Sequence, residues 1–391
     1  MIEKITWLLL GCIAGTFTGI TPGIHANTIA FMALYAGHFD GLNFAVFVVA
    51  MGITHSFVDS IPTIILGAPG EDDFLASLPG HALLMKGKGI EAITHMTTGG
   101  IVAIIFSLAL VPFFFSFAIN YGKYLPLVIP AILATTMAII VAKEKNKKAA
   151  MLVIGAASII GIIAFESSIP NPIMALVSGF FAFPGLIMSI LKKSKVPEQK
   201  IETETKTPLT GGFLAALASS IVSMIPGIGP SQAAIVTQSA VRRMGRRGFL
   251  AMVGGMNTAN LFFSLLALYA LGKTRTGMAI AINDSLEINL AQTAFLASAI
   301  VASSGIAALI TIKLGKIAAK AAEKYDYSKA SMATAIFLCA AILFFCGPLG
   351  LLAAMSAAGI SMYAWQSGAK RSNCMAFLIA PTAMHYLGIG I

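Results

Sequence analysis

Thr18-Gly-Ile-Thr-Pro-Gly-Ile-His-Ala-Asn-Thr28 has a counterpart at Val222-Ser-Met-Ile-Pro-Gly-Ile-Gly-Pro-Ser-Gln232, with 204 positions between Pro22 and Pro226. Each is a Pro-Gly-Ile break inside an apolar segment. Proline removes a backbone donor and fixes φ, and glycine adopts conformations that other residues avoid, so each break predicts the end of one helix and the start of another. At membrane depth the freed backbone groups survive only where protein or a polar cavity satisfies them. A single break reads as a kink; two in corresponding places mark a paired site at the junction of two halves.

Composition places the chain in the bilayer. Of its 391 residues 57% are hydrophobic and only 11% charged, and the mean hydropathy is +0.87, too apolar for a water-soluble fold of this length. The net charge of +10 lies in short basic clusters between apolar runs with no base-stacking module beside them, which argues against nucleic acid. Cys12, Cys339, Cys346 and Cys374 lack metal-ligand spacing and suggest neither a disulfide framework nor a metal site.

Apolar segments fall at about 5–36 (broken at Pro22), 43–68, 92–118, 124–142, 148–167 and 172–191. A second set follows at about 210–241 (broken at Pro226), 248–272, 289–316, 331–347, 349–366 and 372–391. Between them Lys192 to Pro208 is charged and apolar-poor, which predicts a solvent-exposed linker. The expected domains are a first membrane repeat over 1–191, the linker 192–208 and a second repeat over 209–391.

Orientation follows from Lys and Arg, which favour the cytoplasm. Lys143 to Lys148, the linker lysines and Arg242 to Arg247 put both ends of segment 210–241 on that side. Its arms, about 15 and 12 residues, are too short to cross a core that needs about 20. It therefore reads as a re-entrant hairpin, and counting back from Lys143 makes segment 5–36 a hairpin entering from outside. The expected fold is an all-α polytopic protein of the cell membrane, with two inverted-topology repeats, each a re-entrant Pro-Gly hairpin plus about five transmembrane helices. Both termini fall outside and the linker is cytoplasmic.

Such matched interruptions are the pattern of secondary transporters, with substrate held between the two tips. Helix N-termini pointing inward after each break favour an anion. The candidate substrate contacts are Thr21, Pro22, Gly23, Ile24, His25, Asn27 and Thr28 in the first hairpin, and Pro226, Gly227, Gly229, Ser231 and Gln232 in the second. Hydroxyls and amides in these places also serve simply as caps. His55 and Asp59 stand one helical turn apart inside an apolar crossing, where ionisable groups are costly. They are candidates for coupling to H+ or Na+, or for a structural His–Asp hydrogen bond; their counterparts Asn257 and Asn260 are uncharged. Gly11, Gly15 and Gly19 are suited to close helix packing. No nucleophile elbow, zinc-protease motif or P-loop is present, and no cofactor is indicated. Glu71-Asp72-Asp73 reads as a solvated loop.

At Leu66-Gly-Ala-Pro-Gly-Glu-Asp-Asp73, Leu78-Pro-Gly-His81 and Met85-Lys-Gly-Lys-Gly89 the chain resembles the TctA family, the large permease of tripartite tricarboxylate transporters, in its archaeal-type branch. The resemblance implies a permease for an organic anion such as a tricarboxylate, driven by a cation gradient. It also implies a small membrane subunit and an extracytoplasmic binding protein as partners. The second half departs from the pattern, reading Lys273-Thr-Arg-Thr276 where a copy of Ala68 to Glu71 would fall. The hairpins are more distantly similar to those of polyprenyl-phosphate translocases, so a lipid phosphate is the alternative substrate and a lipid-modifying membrane enzyme a third reading. Membrane lipids surround such a chain, and a homo-oligomer is compatible with it.

Overall fold

The computed structural model describes residues 2–24, 26–36, 41–68, 74–121, 124–142, 144–193, 195–200, 206–225, 229–241, 244–274, 276–324 and 326–389, apart from the side chains of residues 28, 31, 32, 35, 36, 74, 78, 125, 126 and 232. Among them all regular structure is helical. The first half runs α1 (Ile2–Ile20), α2 (Ala26–Ala36), α3 (Gly41–Val58), α4 (Ser60–Ile65), α5 (Phe74–Leu84), α6 (Gly89–Tyr121), α7 (Leu125–Ala142), α8 (Lys147–Glu166) and α9 (Pro172–Val177), which passes through a π-turn into α10 (Phe183–Leu191). The second half runs α11 (Leu209–Val222), α12 (Pro230–Ala240), α13 (Arg246–Leu271), α14 (Gly277–Ser285), α15 (Leu290–Lys324), α16 (Tyr327–Gln366) and α17 (Ala376–Leu387). Seven helical stretches among the described residues are long and apolar enough to cross a membrane. The protein is a multi-pass membrane protein.

The glycine spacing of α1 explains its packing. Without side chains, Gly11, Gly15 and Gly19 lie directly on α3: Gly11 against Phe47 and Ala50, Gly15 against Met51 and Thr54, Gly19 against Val58 and Asp59. The residue numbers rise together, so α1 and α3 run the same way, and α2 carries the chain back between them. Ile2, Ile5, Leu9, Ile13 and Phe17, at helical spacing on the other side of α1, are exposed for contact with lipid. In the second half Gly211 lies on Gly248 and Ala251, and Gly255 on Ala215. Hence α11 runs parallel to α13, with α12 returning between them.

Two helices form the centre. The α3–α4 stretch and α13 are buried along almost their whole length, whereas α8, α15 and α16 leave most of their apolar surface outward. α6 packs along α13 through Gly99 on Ala251 and Gly254 on Met96. Because α6 and α13 begin side by side, joined by Arg247 Nε to Glu91 Oε1 at 2.7 Å, α13 starts on the side toward which α3 and α4 run.

One feature differs from the sequence expectation and two refine it. α1 begins at Ile2 and its 19 residues reach about 28 Å, longer than the expected arm, because Glu3 and Lys4 both meet the Asn43 side chain and hold its polar start in the helix. The two expected segments 331–347 and 349–366 are two helices that meet, as expected, at Gly347-Pro348, where a φ of +71° at Gly347 turns the chain without a loop. Most of the described linker residues are exposed, as expected, but the strand is anchored at two of them. Val196 and Gln199 are buried, and Gln199 takes the Gly89 N–H at 2.8 Å, donates to Leu84 O at 2.9 Å, and gives its own N–H to Glu323 at 2.7 Å. Apolar-poor composition keeps most of the strand at the surface, and one glutamine with its hydrogen bonds met pins it there.

Near the far end Arg371 is also buried. The π-turn over Ser178–Ala182 leaves carbonyls outside the regular ladder, and Arg371 Nη2 donates to Phe180 O at 2.7 Å and Phe181 O at 2.9 Å. Burial lowers its pKa to about 10, so it remains charged at neutral pH.

Candidate functional site

At the first break, α1 ends at Ile20 and Thr21 turns its hydroxyl back onto Phe17 O at 2.8 Å. That bond uses the hydroxyl proton and leaves the oxygen free to accept. Gly23 takes a φ of +80°, and the direction its side chain would occupy is filled by Met174 at 3.1 Å and Leu338 at 3.3 Å. Pro22 and Ile24 are partly buried beside it, and Ile24 N closes the turn onto Thr21 O at 3.3 Å. His25 and the Thr28 side chain lie outside the described residues.

α2 then starts at Ala26, and Asn27 packs against Gly277, where only a glycine leaves room: its Oδ1 is 2.7 Å from the position of an added Cβ. Gly277 opens α14, whose N-cap Thr276 accepts the Ala279 N–H at 3.2 Å. Two helix N-termini thus stand side by side at the break. Lys273, just upstream of α14, is exposed. Thr276, which ends the stretch that departed from the sequence pattern, is therefore next to the first tip. Aligned N-terminal N–H groups favour negative charge.

The polar turn of α3 lies level with this tip. His55 and Asp59 are both buried, joined by Asp59 N to His55 O at 2.9 Å, and His55 Nδ1 lies 3.0 Å from Thr18 Oγ1 in the last turn of α1. α3 thus ties its ionisable turn to the arm that ends in the break. In the second half, Ser219 of α11 donates to Met256 O at 3.3 Å, one residue before Asn257. Asn257 and Asn260 are buried on α13, as are Ser223 and Ser231 at the flanks of the second break. Gly229 O receives the Ala233 N–H at 3.2 Å as α12 begins. Pro226, Gly227 and the Gln232 side chain lie outside the described residues, as do Glu71, Asp72 and Asp73.

The two polar turns meet. Ser56 Oγ and Thr258 Oγ1 are 3.4 Å apart and buried, at the crossing of α3 and α13, although 202 positions separate them. Neither residue stood out in the sequence, though each adjoins a polar residue in an apolar helix. Among the described residues no group of three or more His, Cys, Asp or Glu side chains has a metal-binding arrangement.

With this geometry in view, the relationship to known proteins is specific. The sequence matches the Tripartite tricarboxylate transporter TctA family over residues 5–376. The chain belongs to the TctA family. This TctA protein is also similar to an uncharacterized protein of Methanocaldococcus jannaschii, 29% identical over 407 aligned positions that take in 98% of this chain and 99% of that one. No solved structure matches it. The match covers both breaks, α3, α13 and the Lys273 loop, so the site described above lies wholly inside the family region.

Proposed function

We propose that this TctA protein is the membrane permease of a secondary transporter for a small organic anion, a tricarboxylate first among candidates, coupled to H+ or Na+. The observation that carries the reading is the pairing of the α2 and α14 N-termini at the first Pro-Gly break, with Asn27 set against Gly277 and an exposed Lys273 four residues before it in sequence. Two N-terminal dipoles and a cation favour a carboxylate-bearing substrate. His55 and Asp59, held level with the break by Thr18, are the coupling candidates. Asn257 and Asn260 supply uncharged ligands on the α13 side. The parallel pairing of α1 with α3 and of α11 with α13 supports two hairpins entering from opposite faces, hence the inverted repeat over 1–191 and 209–391. α2, α11 and α12, at 11, 14 and 11 residues, reach about 16 to 21 Å, short of a core of about 30 Å.

Charge supports the orientation. Of the 26 Lys and Arg residues, Lys4, Lys123, Lys273 and Arg275 alone fall in sequence away from the helix ends on the linker side, which leaves 22 on that side. The linker face is therefore assigned to the cytoplasm and both termini to the outside. By its family the permease works with a small membrane subunit and an extracytoplasmic binding protein. No observation favours a lipid phosphate or a lipid-modifying reaction.

The test is counterflow in proteoliposomes. Labelled citrate and a panel of mono-, di- and tricarboxylates are offered to vesicles loaded with the unlabelled compound, and Lys273→Gln is compared with the parent. Exchange of at least one carboxylate, with a raised KM in Lys273→Gln, is the expected result. Exchange of none by folded protein, or an unchanged KM, would remove the site from the first break.

A further inference from the structure

Where the end of α1 meets α4, the last turns of α15 and the first turn of α16, an apolar cavity of about 270 Å3 lies beside the first break. Its walls include Ile20, Ile61, Ile65, Ala318, Ala322 and Ala330, and the short alanine side chains leave the space open. Among the described residues Tyr327 brings the only side-chain polar group to the lining, and its hydroxyl donates to Ile65 O at 2.8 Å. A buried water needs two to four polar partners, which these walls do not offer, so the fitting occupant is hydrocarbon.

The cavity continues a surface already turned to lipid. Ile20, 40% exposed, ends the α1 stripe that runs through Leu9, Ile13 and Phe17. A hydrocarbon chain lying along that stripe enters the cavity from its side.

The other rim is basic. On α15, Lys316, Lys320 and Lys324 form one i,i+4 row, and Lys313, Ile317 and Ala321 form the next, so the lysines adjoin a row that ends in the cavity wall. All four lysines are exposed, and Ile317 is 58% exposed among them. Lys329, one position before Ala330, is exposed as well. Over 313–330 five lysines stand against two acids, Glu323 and Asp326. Glu323 accepts the Gln199 N–H at 2.7 Å, and Asp326 caps α16 with its side chain 4.0 Å from Lys329 Nζ. An isoleucine exposed between lysines suits the water boundary of a bilayer, where ammonium groups reach for phosphates above the apolar layer.

We propose that this cavity is a binding site for an anionic phospholipid, one acyl chain filling the space and the headgroup phosphate resting on Lys320, Lys324 and Lys329. The lipid is a bound ligand and is not carried. Ile20 leads directly into Thr21-Pro22-Gly23, so a chain in the cavity supports the last turn of α1 where protein atoms leave a gap. The excess of lysines selects a net negative headgroup over a zwitterionic one.

The test reads lipid occupancy and needs no transport substrate, so its failure leaves the transport reading untouched. Trp7 and Trp365 are replaced by Phe, and Ile317→Trp is introduced as a fluorescent reporter at the cavity rim. The protein is reconstituted into vesicles of dioleoylphosphatidylcholine with rising dioleoylphosphatidylglycerol, one lipid or the other carrying dibrominated chains. Quenching of the reporter gives the preference of the site for the anionic lipid. The expected preference is at least about fivefold, falling to about twofold or less in Lys320→Gln/Lys324→Gln/Lys329→Gln. With every lysine kept, Ala318→Leu and Ala322→Leu each fill part of the cavity and should reduce the preference in the same way. A reporter at Ile159→Trp, on the exposed face of α8, should show no preference, and excess soluble glycerol phosphate should displace nothing at the rim. Equal quenching by both lipids at Ile317→Trp, or a preference that survives the lysine changes, overturns the proposal. So does displacement by glycerol phosphate, which would make this an anion site without a chain, and so does a preference unchanged in both alanine variants, which would reduce it to surface attraction.

Discussion

Replacing Gly15 by alanine tests the claim that α1 is held on α3 by direct backbone approach and that this contact positions the first break. An added Cβ would stand 2.8 Å from Thr54 Cβ and 3.0 Å from His55 N, and closer still to the Met51 carbonyl oxygen. Carbon atoms rest at about 3.5–4.0 Å, so α1 must move away from α3 by about 0.7 Å or more. One turn along, the same displacement stretches the 3.0 Å contact between Thr18 and His55 to roughly 3.7 Å, beyond hydrogen-bond range. Overpacking of this kind costs about 1–3 kcal/mol and the lost bond about 0.5–1.5 kcal/mol. The expected loss is about 2–4 kcal/mol, together with a fall in uptake because His55 loses its tie to α1. Gly155→Ala is the control. Gly155 is an exposed mid-helix residue of α8 with nothing within 4 Å of an added Cβ, and relief of backbone entropy should stabilise it by about 0.5–1 kcal/mol. Thermal unfolding of the purified proteins gives the sign for each, and uptake by proteoliposomes gives the functional part. If Gly15→Ala melts with the parent, or moves in the same direction as Gly155→Ala, the close packing of α1 on α3 is wrong.

Single cysteines at Glu198 and Arg247, in a background lacking the four native cysteines, should label only from the cytoplasm, and one at Lys273 only from outside. Labelling of the first two from opposite faces would make segment 210–241 a crossing and end the inverted repeat. Asp59→Asn should abolish accumulation driven by a cation gradient while preserving counterflow of the same substrate; full gradient-driven uptake in this variant would make Asp59 structural.

Much of this arrangement is written locally in the sequence. The two breaks, the glycines at every fourth position of α1 and the His55–Asp59 turn each depend on residues within a few positions of one another, and such spacing is what periodicity can report. What escaped it was long-range. Lys273 to Thr276 reads as a mere departure from a pattern until α14 is laid beside α2, and nothing near Asn27 announces a partner 250 positions away. α14 itself, at nine residues, is too short to leave a membrane signature. The linker's exposure was legible in its charge, but the anchoring of Gln199 was not, because it rests on acceptors and donors supplied by Leu84, Gly89 and Glu323. Glu91 and His95, in turn, sit where an apolar segment begins and look like the polar end of a span. Only the arrival of Thr207 and Arg247 turns that end into a buried cluster.

The inequality of the two halves gives the proposed cation coupling a physical basis. A symmetric pair of hairpins explains how a site could face either side, but it places no preference on charge. The first half has Asp59 level with a break whose neighbouring N-termini attract an anion, and Gly19 of the same arm rests on the Asp59 backbone nitrogen. An ionised Asp59 and a carboxylate substrate near that break repel each other; at about 8 Å and an effective dielectric near 20 the penalty is about 2 kcal/mol, roughly thirtyfold in affinity. A proton or sodium ion on Asp59 removes the penalty, and by reciprocity the bound anion raises the cation's affinity by the same factor. Asn257 and Asn260, being neutral, would not restore the repulsion. Under the proposed coupling, cation and anion would travel together because neither would bind well near Asp59 alone, and one acidic residue in one half would suffice.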